Sequence, residues 1–162
     1  MNAERVVPFA NLASADLTVD QLYDGGTSGT VADDPLARLL PVGNQGGFRY
    51  AGSPRKATVR LVVLYTTAAE IDWPDSLDPQ IGVFTYYGDN RSPGRELHYT
   101  QRSGNVLLRD AFEHGHGCAD QRRRVPPFLL FEKAAPGRRI MFRGLLVPGA
   151  ATLSGDDELV AL

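Results

Sequence analysis

Asp72-Trp73-Pro74-Asp75 sets the only tryptophan of the chain between two carboxylates, and Phe84-Thr85-Tyr86-Tyr87 follows with two adjacent tyrosines. Aromatic planes stack and carboxylates accept hydrogen bonds, so these residue types suit a planar, hydrogen-bonding ligand such as a nucleobase. The run from Ile81 to Tyr87 is apolar, β-branched and aromatic, which favours a strand, and Gly88-Asp89-Asn90 ends it in a turn. Neighbouring side chains on a strand point to opposite faces, so one of Tyr86 and Tyr87 packs inward while the other meets solvent or a ligand. A plainer role is open to the same residues, with Trp73 and Tyr86 in the core and the aspartates forming turns.

Other chemistries find little support. His114-Gly-His116-Gly-Cys118 has the residue types of a metal site. Zinc asks for four ligands, no second Cys or His pair follows, and His98 stands in a separate segment. Glu132 and Lys133 are adjacent rather than spaced on one strand face, as a nuclease cluster would need. There is no Gly-x-Ser-x-Gly elbow, no Gly-x-Gly-x-x-Gly and no P-loop. No cofactor, metal or catalytic set is expected in this chain.

Charge is unevenly placed. The formal net charge is only −2, yet residues 91–143 hold eleven Arg and Lys against five Asp and Glu. The first fifty residues carry three basic and six acidic side chains, and the last nineteen only Asp156, Asp157 and Glu158. A basic second half is the kind of field that meets phosphates. Arg91, Arg95 and Arg102 in one stretch, and Arg122, Arg123 and Arg124 in another, offer such contacts, unless they are simply a solvated face. One cysteine, no apolar run of spanning length and no signal-like start point to a reducing, cytoplasmic setting.

These residues must be positioned by a single domain, since 162 residues make one real core. Asp16 to Tyr23 is a short helix or a strand, and Asp24 to Gly29 reads as a flexible connector. Pro35 to Leu40 is a short helix behind an aspartate cap. Gly43-Asn44-Gln45-Gly46-Gly47 leads into Phe48-Arg49-Tyr50, with glycines that let backbone approach a phosphate or simply turn. Ala57 to Thr67 is the strongest strand and Ile81 to Tyr87 the next. Residues 91–102 form an exposed loop, and Leu107, Leu108 and Phe112 share a helical face. Residues 114–124 are a polar, basic loop. Strands at 125–132 and 139–147 flank the Pro136-Gly137 turn. The expected fold is α+β: a curled, mostly antiparallel or barrel-like sheet with two or three short helices. The domain occupies residues 1–149, and 150–162 is an acidic tail or the start of a linker.

In order along the chain stand Tyr23-Asp-Gly-Gly26, Asp33-Asp-Pro-Leu36, Asn44-Gln-Gly-Gly-Phe-Arg49, Asp72-Trp-Pro-Asp75, Tyr86-Tyr-Gly-Asp-Asn-Arg91, Pro93-Gly94, Leu97-His98, Thr100, Gly104-Asn105, Pro126-Pro127, Gly144 and Pro148-Gly149. This set resembles the N-terminal recognition domain of modification-dependent restriction endonucleases of the AspBHI type, an SRA-like domain, over about residues 10–149. The resemblance implies a domain that binds duplex DNA and flips a modified cytosine, typically 5-methylcytosine, into a pocket. Phe84-Thr-Tyr86-Tyr-Gly88 is similar to the strand end that borders the pocket in such domains. Trp73 and Asp75 stand where its aromatic and aspartate should be, with Asp72 or Asp78 as alternative carboxylates and Tyr87 beside them. Asn44, Gln45 and Arg49, then Asp89, Asn90, Arg91, Arg95, His98 and Arg102, would form the groove and phosphate loops, with Arg122 to Arg124 as further phosphate contacts. The nuclease of such enzymes is a separate C-terminal domain, so this chain is expected to be a reader without catalysis. The rival expectations are a small metal-dependent enzyme using Asp75, Asp89 and His98, and a peptide-binding module.

Overall fold

The computed structural model describes residues 6–72, 74–88, 96, 98 and 100–150. Among the described residues eight strands form: β1 (Val6–Val7), β2 (Leu22–Tyr23), β3 (Phe48–Ala51), β4 (Leu61–Thr66), β5 (Ser76–Asp78), β6 (Val83–Thr85), β7 (Phe128–Lys133) and β8 (Ile140–Leu146). Three α-helices among the described residues join them: α1 (Pro35–Leu39), α2 (Gly104–Gly115) and α3 (Ala119–Arg122).

Six strands make one open sheet in the order β1-β2-β8-β7-β4-β3, while β5 and β6 pair separately as a hairpin. β3 with β4, β7 with β8 and β2 with β8 run antiparallel; β4 with β7 and β1 with β2 run parallel. The expected α+β class is observed with an open, not closed, sheet.

β4 and β7 read as continuous apolar runs because both faces of the sheet are covered. Val62, Leu64, Phe128 and Leu130 face one cluster, with Leu108, Ala111 and Phe112 of α2 and Phe84 and Tyr86 of the hairpin. Val63, Leu129 and Phe131 face the other, with Leu12 of the 3-10 helix Phe9–Ser14, Leu36 of α1, Tyr23, Ile140 and Phe142. The alternation follows from the two-residue period of a strand. One face therefore carries α2 and the hairpin, and the other carries the N-terminal segments.

Several segments differ from expectation. The Asp16–Tyr23 ambiguity resolves as the short strand β2. Asp24 to Gly29 is not a flexible connector: Gly26 N–H donates to Asp33 O at 2.9 Å and Arg139 pairs with Asp24 at 2.7 Å. Gly25 lies against Arg138, and Gly26 against Asp33, so closely that neither position has room for a Cβ. The 57–67 strand begins only at Leu61, since Ala57 takes a left-handed φ of 50° after the turn Pro54–Lys56. The polar stretch 114–124 is not all loop, because α3 forms within it.

Asp33 organises the N-terminal side. Its carboxylate accepts from Ser28 Oγ at 2.7 Å, Gly29 N–H at 2.6 Å and Thr30 N–H at 3.2 Å. The Ser28 hydrogen bond first, and then the backbone N–H groups, hold its pKa below the ordinary carboxylate value against the opposing effect of burial. A lowered pKa means that this group's contribution is complete above the unfolded value and lost as pH falls through the folded one. Asp33→Asn is therefore expected to lower stability at neutral pH and to flatten the acid limb of a urea-midpoint-against-pH profile. An acid limb identical to that of the parent would contradict this role.

Candidate nucleic-acid interface

The strand directions gather one set of loops at one end of the sheet. β3 runs antiparallel to β4, so the Gly43–Gly47 loop that precedes β3 meets the C-terminal end of β4, where Tyr65 N–H donates to Gly47 O at 2.7 Å. From that same end the chain leaves Thr66 toward Asp75 and the hairpin. After β6 the chain reaches Gly88, whose φ of +80° and lack of a Cβ let it lie against buried Asn105 in the first turn of α2. Arg102, just before α2, donates to Gln45 O at 2.6 Å and lies over Gly46, itself at φ +83°. The 43–47 loop, the 67–75 segment, the strand end 86–88 and the start of α2 thus form one neighbourhood.

Within it, Asp75 and the tyrosines are brought together by register. Ser76 pairs with Thr85, which sets Asp75 beside Tyr86 at the open end of the hairpin. Asp75 Oδ1 accepts from Tyr87 N–H at 3.1 Å, so a half-buried carboxylate is held in one orientation. The two other candidate carboxylates differ. Asp78 Oδ1 accepts from Gln80 N–H at 2.9 Å in the hairpin turn, which is a structural task, and Asp72 is exposed. The tyrosines divide as strand alternation requires: Tyr86 is only 4% exposed and lies against Phe84 at 6.0 Å between ring centroids, while Tyr87 is half-buried. Tyr86 is thus a core residue on at least one ring face.

Other expected contacts fare unevenly. Asn44 and Gln45 are exposed on the loop. Arg49 is not available as a phosphate contact: it is 5% exposed, its guanidinium bonds both oxygens of Asp34 at 2.7 and 2.9 Å, and it donates to Gly43 O and Gly46 O at 2.9 and 2.7 Å. It shapes the loop from beneath. His98 lies 3.9 Å from Glu96, and its Nε2 is buried with no hydrogen-bond partner among the described residues. Arg122, Arg123 and Arg124 are exposed but do not flank the tyrosines. They follow the other end of the twelve-residue α2, a rise of about 18 Å from the Gly46–Arg102 contact. Trp73, Asp89, Asn90, Arg91 and Arg95 lie outside the described residues.

Two features were missed in the sequence. Asp34 is the expected cap, accepting from Ala37 N–H at 2.8 Å, and it also holds Arg49. Asn105 stands in the ordered set only as a motif residue, yet positions 105, 108 and 112 share one helical face, where a polar residue signals a buried group with a structural task. The His-x-His-x-Cys stretch is dispersed. His116 Nε2 meets Gly149 O at 2.6 Å, Cys118 begins α3, and among the described residues no group of three His, Cys, Asp or Glu could hold a metal. No helix among them is long and apolar enough to cross a membrane.

The family model described as restriction endonuclease AspBHI N-terminal matches residues 17–162. The chain belongs to this family. Among solved structures, the DNA recognition domain of the cytosine modification-dependent restriction endonuclease LpnPI is similar at 42% identity with a TM-score of 0.86, over 97% of this chain and 70% of that one. The DNA modification-dependent restriction endonuclease AspBHI is similar at 45% identity and a TM-score of 0.81, over 94% of this chain and only 39% of its own. MspJI restriction endonuclease in complex with a 27-mer oligonucleotide shares the fold, with a TM-score of 0.52 and 20% identity over 78% of this chain and 33% of its own. The comparison with curated proteins found no match. The AspBHI N-terminal family to which this chain belongs thus corresponds to the DNA recognition part of such enzymes.

Proposed function

We propose that this AspBHI N-terminal family domain binds duplex DNA in the cytoplasm and recognises a modified cytosine, 5-methylcytosine first, by flipping it out of the stack. The observation that carries the reading is the half-buried Asp75 carboxylate fixed by Tyr87 N–H beside the tyrosine strand end. A carboxylate so held accepts from the cytosine N4 amino group and rejects thymine, which presents a carbonyl there. Trp73, two residues before Asp75, and the tyrosine strand end supply the stacking planes, each worth about 1–3 kcal/mol. Those contacts, with phosphate contacts from Asn44, Gln45, Arg102 and the 89–95 segment, offset the few kcal/mol lost on unstacking. Domain boundaries at residues 1–149 with a linker from 150, and a nuclease domain elsewhere in a longer protein, complete the proposal. The family membership and the likeness to the LpnPI recognition domain support it.

The flipping step has its own test. A duplex carrying 2-aminopurine beside a single 5-methylcytosine is expected to brighten on adding the protein, as the neighbouring stack opens. Tight binding with no change in fluorescence would rule out flipping.

A further inference from the structure

Along α2 from Leu107 to His114, beside the N-terminal ends of β4 and β7, lies a groove of about 470 Å³. Its floor is apolar, made by Val59, Leu107, Ala111, Val125 and Pro126. Its rim is mainly basic: Arg124 and His114 line it, and Arg55 and Lys56 stand exposed between Pro54 and Ala57, which also line it. Arg60, Arg122 and Arg123 are exposed on the adjoining segments. One carboxylate, Asp110, lines the groove itself but is paired with Arg109, and Asp120 nearby is paired with Arg123, so the basic side chains still outnumber the acids. An apolar trough with a basic rim is not shaped for a phosphate ridge; it suits an extended peptide that alternates acids with apolar side chains.

Such a segment leaves the domain beside the groove. Gly115 lies against Pro148, and Gly149 O is held by His116, two residues from the groove-lining His114. Beyond Ala150 the sequence reads Asp156-Asp157-Glu158-Leu159-Val160-Ala161-Leu162, three acids followed by four apolar residues. Leu159 lies nine positions beyond Ala150, a reach of up to about 30 Å. We infer that residues 156–162 dock in this groove, the acids against Arg124, Arg122 and Lys56, and Leu159 and Val160 on the apolar floor. A tether this short gives an effective concentration on the order of millimolar, so even a weak contact is well populated. The inference stands apart from the DNA reading, which uses the C-terminal end of β4, at the opposite end of the sheet.

The test uses the full chain, with a nitroxide on Val160→Cys in a Cys118→Ser background. Serine caps a helix well at that position. Amide signals of Leu107, Ala111 and Val125 are expected to lose most of their intensity, and to regain it in Arg122→Glu/Arg124→Glu, whose exposed positions leave the fold intact. No broadening at the groove, or equal broadening over the whole surface, would overturn the docking. So would groove amides that shift on adding an unmodified duplex but never broaden from the label, which would make the groove a phosphate surface instead.

Discussion

Arg49→Ala is expected to destabilise the domain by about 3–5 kcal/mol, because it leaves the Asp34 carboxylate buried without its partner. The side chains of the pair are 4% and 11% exposed, and the guanidinium also donates to two carbonyls of the 43–47 loop. Its plane lies near the Tyr65 ring, 5.8 Å from the centroid, so α1, β3, β4 and the loop all converge on it. A lysine there has one point charge and cannot span these four acceptors, so Arg49→Lys is expected to lose much of the same stability. Removing both charges, with Asp34→Leu and Arg49→Met, should recover part of the loss, since no unpaired charge remains. Urea unfolding followed by circular dichroism reads all of these. A loss below about 1 kcal/mol for Arg49→Ala would mean that the pair behaves as a surface bridge.

The second large effect concerns recognition. Asp75→Asn keeps an oxygen that can accept from Tyr87 N–H but turns the other half of the group from acceptor into donor. Against a cytosine amino group, donor would face donor. Preference for modified cytosine over thymine at the flipped position is expected to fall roughly 10- to 100-fold, the worth of a hydrogen bond to a charged group. The urea midpoint should barely move, because the hairpin clamp survives. Unchanged discrimination in a folded Asp75→Asn protein would remove Asp75 from the proposed pocket. Tyr86→Ala is not a matching probe: a ring 4% exposed against Phe84 supports the core, so its loss is felt as unfolding.

The elements whose signal is local were legible in the sequence. Asp34-Pro35 announces α1, the Leu108 and Phe112 spacing announces α2, and the apolar runs announce β4, β7 and β8. The division of Tyr86 from Tyr87 followed from strand alternation. What depended on distant partners was not legible. Arg49 looks like a phosphate arginine until Asp34, fifteen residues away, is seen to hold it. Arg122 to Arg124 offer phosphate contacts alongside the 91–102 arginines in sequence, yet the twelve-residue α2 between the two sets carries them to the other end of the domain. The Asp24–Gly29 stretch seemed loose because its restraints come from Asp33, Arg138 and Arg139.

The central claim is met most directly by titrating the purified chain against one duplex, unmodified and with a single 5-methylcytosine, at two salt concentrations. Phosphate contacts weaken together as salt rises, so both affinities should fall. The account predicts tighter binding to the methylated duplex at both salts, with the ratio between the two nearly constant. Equal affinity for the two duplexes at both salts would contradict it.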